Sequence, residues 1–293
     1  MGIRISHMNS VYNRLNSYSD TVINLATMAL SPILQNGAPK TFSHVVVATT
    51  CPDTLAPTLG QTLNQFYYPR FANCHVLDLV QGCAGGVSAM VLASQLADLT
   101  RSSVAVVLAD AARQSVSEKD KIRQFFGNGA FACTIEFEEG SRRLIHHKTK
   151  QYENLSELVT VKLGHQAHHE ILNKQKEVIQ NPLGNLGLSM NPLLALKLLR
   201  HAEEFYSEFV SECNTTADVM VFHQVNPDIL KSLQGTFAGR VSQFVNLADS
   251  IGNCGAASFG IAMDMIKKEL PGKKVFLCSF GTGGVISAGL WQF

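Results

Sequence analysis

The sequence predicts an α/β fold with buried, mixed sheets, made from one unit used twice. Two observations carry this. Short β-branched strands alternate with helical stretches, the pattern of sheets covered by helices on their faces. The two halves also read alike, and a long-period repeat of this kind marks a duplicated unit. His44-Val-Val-Val-Ala-Thr-Thr-Cys-Pro-Asp53 matches Asp218-Val-Met-Val-Phe-His-Gln-Val-Asn-Pro-Asp228, with Pro52 and Pro227 175 residues apart. Gly82-Cys-Ala-Gly-Gly-Val-Ser-Ala-Met90 matches Gly252-Asn-Cys-Gly-Ala-Ala-Ser-Phe-Gly260, and Val104–Leu108 matches Lys274–Cys278, both at a spacing of 170.

Each half then runs strand, helix, strand, glycine joint, helix, strand. The helical stretches Val87–Leu99 and Ala256–Lys268 are rich in Ala and Met and weakly charged, which suits burial between sheets. Residues 140–195 are polar and irregular and end at Asn181-Pro-Leu-Gly184 and Asn191-Pro192. They read as an insertion or lid. The amphipathic run Leu193–Val210 opens the second half. The expected division is 1–140 for the half with the nucleophile, 141–195 for the lid and 196–293 for the half with His and Asn, all in one domain.

Composition excludes several classes. With 293 residues, 46% hydrophobic and 16% charged, the chain is long enough and apolar enough for a full core. A net charge of +1 gives no electrostatic reason for nucleic-acid binding. No apolar run approaches the roughly 20 residues that span a bilayer. The N-terminus MGIRISHMNS lacks the apolar core of a secretory signal. Met1–Ser6 fits the loose myristoylation pattern, which short stretches match by accident. Seven cysteines without CxxC spacing read as reduced. A cytoplasmic protein without membrane contact is expected.

Chemistry concentrates at the joints. Cys83 sits between Gly82 and Gly85-Gly86 where an apolar run turns into a helix, a place that presents a nucleophile rather than packing one. Asn253 occupies the equivalent joint of the second half, and His223 ends the strand Val219–Phe222. With an approximate two-fold axis relating the halves, Cys83, His223 and Asn253 converge on one cavity. A helix N-terminus is expected to lower the Cys83 pKa. Attack by Cys83 on a thioester or ester yields an acyl-enzyme. His223 and Asn253 can donate hydrogen bonds to an oxygen that becomes negative.

Other residues read more plainly. Cys51, Cys74, Cys133, Cys213, Cys254 and Cys278 are packing residues. His165 and His169, four apart, lack a third ligand and read as a solvated helix start, so no metal is expected. His146-His147-Lys-Thr-Lys150 is an exposed face. The 281-GTGG-284 stretch lacks the Lys-Ser/Thr of a phosphate loop and reads as a glycine hairpin near the site. Asn226, two residues after Gln224, is expected at the substrate site, and Ala56, beside Pro57, at the pocket wall or a dimer seam.

Five motifs then resemble, in order and spacing, β-ketoacyl-acyl carrier protein synthase III, the ketosynthase III branch of the thiolase superfamily. They are Gly82-Cys83-Ala-Gly85, Phe126-Gly-Asn-Gly-Ala130, His223-Gln-Val-Asn226, Gly252-Asn253-Cys-Gly-Ala-Ala-Ser258 and Phe280-Gly-Thr-Gly-Gly284. Gly2-Ile-Arg4 resembles that family's Gly-Ile-Arg. The resemblance covers almost the whole chain and implies a thiolase fold, five-layered α-β-α-β-α, usually homodimeric. It implies an acyltransferase of the EC 2.3.1 class in which Cys83 takes an acyl group from coenzyme A or acyl carrier protein. His223 and Asn253 then hold a malonyl-type thioester through decarboxylation and Claisen condensation. The N–H groups of Cys83 and Gly284 form the oxyanion hole, and no cofactor is implied.

The departures are Asn128 for the family's Asp, Gly82 before the nucleophile, the unmatched 140–195 stretch, and an N-terminus shortened so that the first strand and an adenine-holding aromatic are expected to be absent. They point to a specialised fatty acid or polyketide pathway and favour a carrier-protein donor. A partner chain, another ketosynthase, is one source of the missing strand. Two alternatives stay open: an acyltransferase forming an ester or amide, and a non-catalytic partner subunit of a ketosynthase.

Overall fold

The computed structural model describes residues 2–14, 20–116, 121–140, 144–153, 159–162, 187–190 and 193–293. The expectations for His165, His169, Asn181–Gly184 and Asn191–Pro192 fall outside these. The first half runs β1 (Ile3–Asn13), α1 (Val22–Gln35), β2 (His44–Ala48), α2 (Leu59–Phe66), β3 (His75–Leu79), α3 (Gly85–Thr100), β4 (Val104–Asp110) and β5 (Asn128–Phe137). The second runs β6 (Leu144–Gln151), the short pair β7 (Val159–Lys162) and β8 (Gly187–Met190), and α4 (Leu193–Cys213). It continues with β9 (Val219–Phe222), α5 (Pro227–Thr236), β10 (Gln243–Val245), α6 (Ala248–Ile251), α7 (Ser258–Met265), β11 (Lys274–Gly281) and β12 (Val285–Gln292).

The duplication is explicit in the sheets. One has the order β1-β5-β4-β2-β3 and the other β6-β12-β11-β9-β10. In each, the three inner-to-edge strands are parallel and the last two antiparallel. Strand residues alternate between layers as the pleat requires. Val45 and Val47 face α1 and α2, while Val46 and Val106 face the layer between the sheets. Val219 and Val221 face that same central layer, and Met220 and Phe222 face α4 and α5. Three apolar clusters therefore fill the spaces of five layers, α-β-α-β-α. The central layer holds α3 and α7. Contrary to the sequence reading, one stretch, Gly82–Thr100, is apolar and long enough to cross a bilayer, but 56% of its 18-residue apolar window is buried inside the protein.

Two sequence expectations change here. The first strand is present: Ile3–Asn13 pairs antiparallel with β5 from Ile3↔Phe137 to Asn13↔Asn128, with a register shift between Ser6 and Asn9. Its polar, irregular composition hides it, because an edge strand buries little of its surface. The 141–195 stretch is not all insertion, since β6 pairs with β12 and closes the second sheet. The repeated Pro-Asp signal also serves two purposes. Asp53 accepts from the Val22 and Ile23 N–H groups at 3.0 and 2.9 Å and caps α1, whereas Pro227-Asp228 opens α5 itself.

Candidate active site

The Cys83 joint is built by close approach of β11–β12. Gly82 has φ +53°, and a Cβ there would overlap the Thr282 hydroxyl and lie 3.0 Å from the Thr282 backbone N. A Cβ on Gly281 would lie 2.7 Å from the Ala84 Cβ. The 282–284 turn thus rests on the Cys83 joint, as a glycine hairpin at that place should. Ser279 Oγ donates to the Cys83 carbonyl at 2.7 Å. Cys83 keeps part of its surface accessible. Dense surroundings nevertheless push its thiol up to about 12, first by burial and then through the Asp110 carboxylate. The expected lowering by a helix N-terminus is outweighed: α3 begins two residues later, at Gly85, while sulfur desolvation acts directly.

His223 continues the β9–β11 ladder by one bond, its N–H donating to the Cys278 carbonyl at 2.7 Å. Buried Gln224 fixes this strand end. Its Nε2 donates to the Phe222 carbonyl at 2.7 Å and its Oε1 accepts from the Leu247 N–H at 2.7 Å. Asn253 is held on both sides of its backbone by Phe125 and Gly127, where the Phe126-Gly-Asn-Gly-Ala130 motif begins. The Asn253 N–H donates to Phe125 O at 2.7 Å and the Gly127 N–H donates to Asn253 O at 3.1 Å. Gly252, at φ +71°, makes the turn that allows it.

The His223 and Asn253 side chains meet. Asn253 Oδ1 accepts from the Gly255 N–H at 3.0 Å, which fixes it as the amide's oxygen end. It also lies 2.9 Å from His223 Nε2, so Nε2 carries the proton. Burial lowers the His223 pKa to about 4, opposed by Asn253 and the Phe280 backbone. The imidazole is therefore neutral at pH 7. Phe280 lies near enough to favour the charged form, although Nδ1 makes no hydrogen bond of ordinary geometry among the described residues.

The Cys83 and His223 backbones are both tied to the end of β11. Cys278 O takes the His223 N–H and the neighbouring Ser279 takes the Cys83 carbonyl. Gly86, three residues after Cys83, packs so closely on the carbonyl of Ala256, three after Asn253, that a Cβ would overlap it. Among the other expected site residues, Gly284 takes the Tyr152 N–H on its carbonyl at 2.9 Å, and it is the Thr282 amide that approaches Gly82. Asn226 caps α5, its Oδ1 accepting from the Asp228 N–H at 2.8 Å. Ala56 lies exposed in the β2–α2 loop. Among the described residues no group of three or more His, Cys, Asp or Glu could hold a metal.

Sequence reasoning missed Asp110, whose carboxylate acts on the Cys83 thiol. The available signal was an acidic residue ending the otherwise apolar strand Val-Ala-Val-Val-Leu-Ala-Asp110.

Comparison with known proteins follows the same lines. Residues 214–293 match the 3-oxoacyl-(acyl-carrier-protein) synthase III C-terminal family. The chain has the thiolase fold, and over that stretch it is similar to this family. The β-ketoacyl-(acyl-carrier-protein) synthase III of Oenococcus oeni is 21% identical over 290 residues, 97% of this chain and 88% of that protein. The crystal structure of 3-oxoacyl-(acyl-carrier-protein) synthase III from Aquifex aeolicus superposes over 100% of both chains at a TM-score of 0.82 and 18% identity. The priming β-ketosynthase of the R1128 polyketide pathway does so over 99% of this chain and 96% of its own, at a TM-score of 0.85 and 16% identity.

Proposed function

We propose that this chain is an acyltransferase that loads an acyl group on Cys83 and condenses it with a malonyl-type thioester. The observation that carries this reading is the paired His223 Nε2 and Asn253 Oδ1, 2.9 Å apart and buried beside the Cys83 joint. Relatives named for β-ketoacyl synthase III activity support it.

In the first step Cys83 sulfur attacks the carbonyl carbon of an acyl thioester. The carbon–sulfur bond of the donor breaks, and the Cys83 proton leaves with the departing thiol. A thiol near 12 is almost wholly protonated at neutral pH, so the proton moves as the bond forms. The Cys83 N–H and a turn amide, Gly284 by sequence or Thr282 by proximity, bind the oxyanion. In the second step Asn253 Nδ2 and His223 Nε2 donate to the carbonyl oxygen of the malonyl thioester. The bond to the carboxylate breaks, carbon dioxide leaves, and the carbanion attacks the Cys83 thioester. Collapse returns the electron pair to sulfur.

The donor is coenzyme A or acyl carrier protein, no cofactor or metal takes part, and the setting is a specialised fatty acid or polyketide pathway in the cytoplasm. A homodimer, or a pairing with another ketosynthase, fits the open edge at β3, where Phe66, Tyr68 and Val80 stay exposed. Asn253→Ala tests the reading against an ester- or amide-forming acyltransferase. Decarboxylation of a malonyl thioester should fall by about 10²-fold or more, while Cys83 acylation stays within a few-fold. Full condensation activity in that variant would sink the proposal.

A further inference from the structure

Asp110 ends β4 and is fully buried. Its Oδ1 accepts from the Thr49 hydroxyl at 2.9 Å, the Thr50 N–H at 2.5 Å and the Thr50 hydroxyl at 2.9 Å. The Cys51 N–H and thiol reach the same oxygen at 3.2 Å each. Oδ2 accepts from the Ala256 N–H at 2.6 Å. The Thr50, Cys51 and Ala256 N–H groups can only donate and favour the ionised carboxylate, against burial, which pushes the carboxyl up. Gly255, at φ +53°, leaves the room, since a Cβ there would overlap Oδ2.

One anion therefore joins the end of β2 in the first half to the loop that carries Asn253 in the second. No salt-bridge partner for it occurs among the described residues. A buried charge is a costly bridge between two loops, and both of its oxygens are used as acceptors, one for each loop. The carboxylate also sits close to the Cys83 joint, because Ala256, whose N–H it accepts, packs its carbonyl on Gly86, three residues after Cys83. Three thiols lie within its field, Cys51, Cys83 and Cys254, and each is held up by burial and then by Asp110. His223 is the remaining titratable group of the site.

We propose that Asp110 is a positioning residue: it anchors the Asn253 loop against the end of β2 and keeps a negative charge beside Cys83. The Asn253 half rests on the condensing reading above; the Cys83 half does not.

Asp110→Asn keeps the shape, removes the charge and turns one acceptor into a donor that faces another donor. Two readouts test it. The pH profile of Cys83 alkylation by iodoacetamide, followed by intact mass against a Cys83→Ala control, should move to lower pH by about one unit. Malonyl-thioester decarboxylation should fall at least about tenfold while Cys83 acylation changes by less than about threefold. An unmoved alkylation profile, with both half-reactions falling together alongside the melting temperature, would overturn the proposal and leave Asp110 a packing residue. A shifted profile in a protein whose wild type never decarboxylates a malonyl thioester would uphold the Cys83 role and refute the condensing reading instead. Should Asp110→Asn fail to fold, Thr50→Val removes one donor and keeps the charge. Decarboxylation should then fall several-fold with the alkylation profile unmoved, and unchanged decarboxylation would refute the anchoring role.

Discussion

Lowering the pH should weaken this protein through His223 specifically. The imidazole is held neutral down to about pH 4 in the folded chain, against 6.5 when free. As pH falls below 6.5 the unfolded chain binds a proton that the folded chain refuses, so stability drops from about 6.5 downward and levels below about 4. Between pH 7 and pH 4.5 the loss comes to about 2.5 kcal/mol, since each unit of separation contributes about 1.4 kcal/mol. The assay is urea unfolding of wild type and His223→Gln at both pH values. The difference between the two proteins cancels groups common to both, such as Glu208, which Lys150 and Lys148 hold down at about 2. His223→Gln should start less stable at pH 7 yet lose about 2.5 kcal/mol less on acidification. Identical pH dependence in the two would refute the buried, neutral imidazole.

Three further outcomes follow. Gly127→Ala would drive a Cβ into the Ile251 carbonyl and to 3.0 Å from Cys254 Sγ, costing about 1–3 kcal/mol; decarboxylation should suffer more than Cys83 acylation, and an unaffected melting temperature would contradict the clamp. Iodoacetamide should alkylate Cys83 at pH 8 about 10³-fold more slowly than the same thiol in unfolded chain, because its pKa is about 12 instead of about 9; a rate equal to the unfolded thiol's would contradict the burial argument. Phe131→Ala, in the central layer with Gly260 flat against the ring, should cost about 3–5 kcal/mol in urea unfolding, and a loss below about 1 kcal/mol would mean that the layer repacks.

The duplicated architecture was legible because both halves keep the same local signals: apolar strands of four or five residues, then a glycine joint. Those signals also led to Cys83, His223 and Asn253, each of which sits where a strand or joint must end. What escaped had physical reasons. β1 escaped because Arg4, Ser6, His7, Asn9 and Ser10 interrupt any period-two pattern on an edge that packs on one side only. β6 escaped because its alternating His and Lys residues pair across to α4, where Lys148 and Lys150 meet Glu208 at 2.9 and 2.6 Å, so the strand looks like a solvated run. The Cys83 pKa was misjudged because sequence spacing reveals a nearby helix start but neither the burial of the sulfur, the larger cause, nor the Asp110 carboxylate 27 residues along the chain. The structural duty of Asn226 as a helix cap was visible in Asn-Pro-Asp, and the family motif His223-Gln-Val-Asn226 drew attention elsewhere.

The most direct test of the account is the intact mass of the protein after incubation with a panel of acyl-coenzyme A and acyl-carrier protein donors, with Cys83→Ala as control. The account predicts a gain of one acyl group that disappears in the variant. No gain from any donor, or a gain that survives in Cys83→Ala, would contradict it.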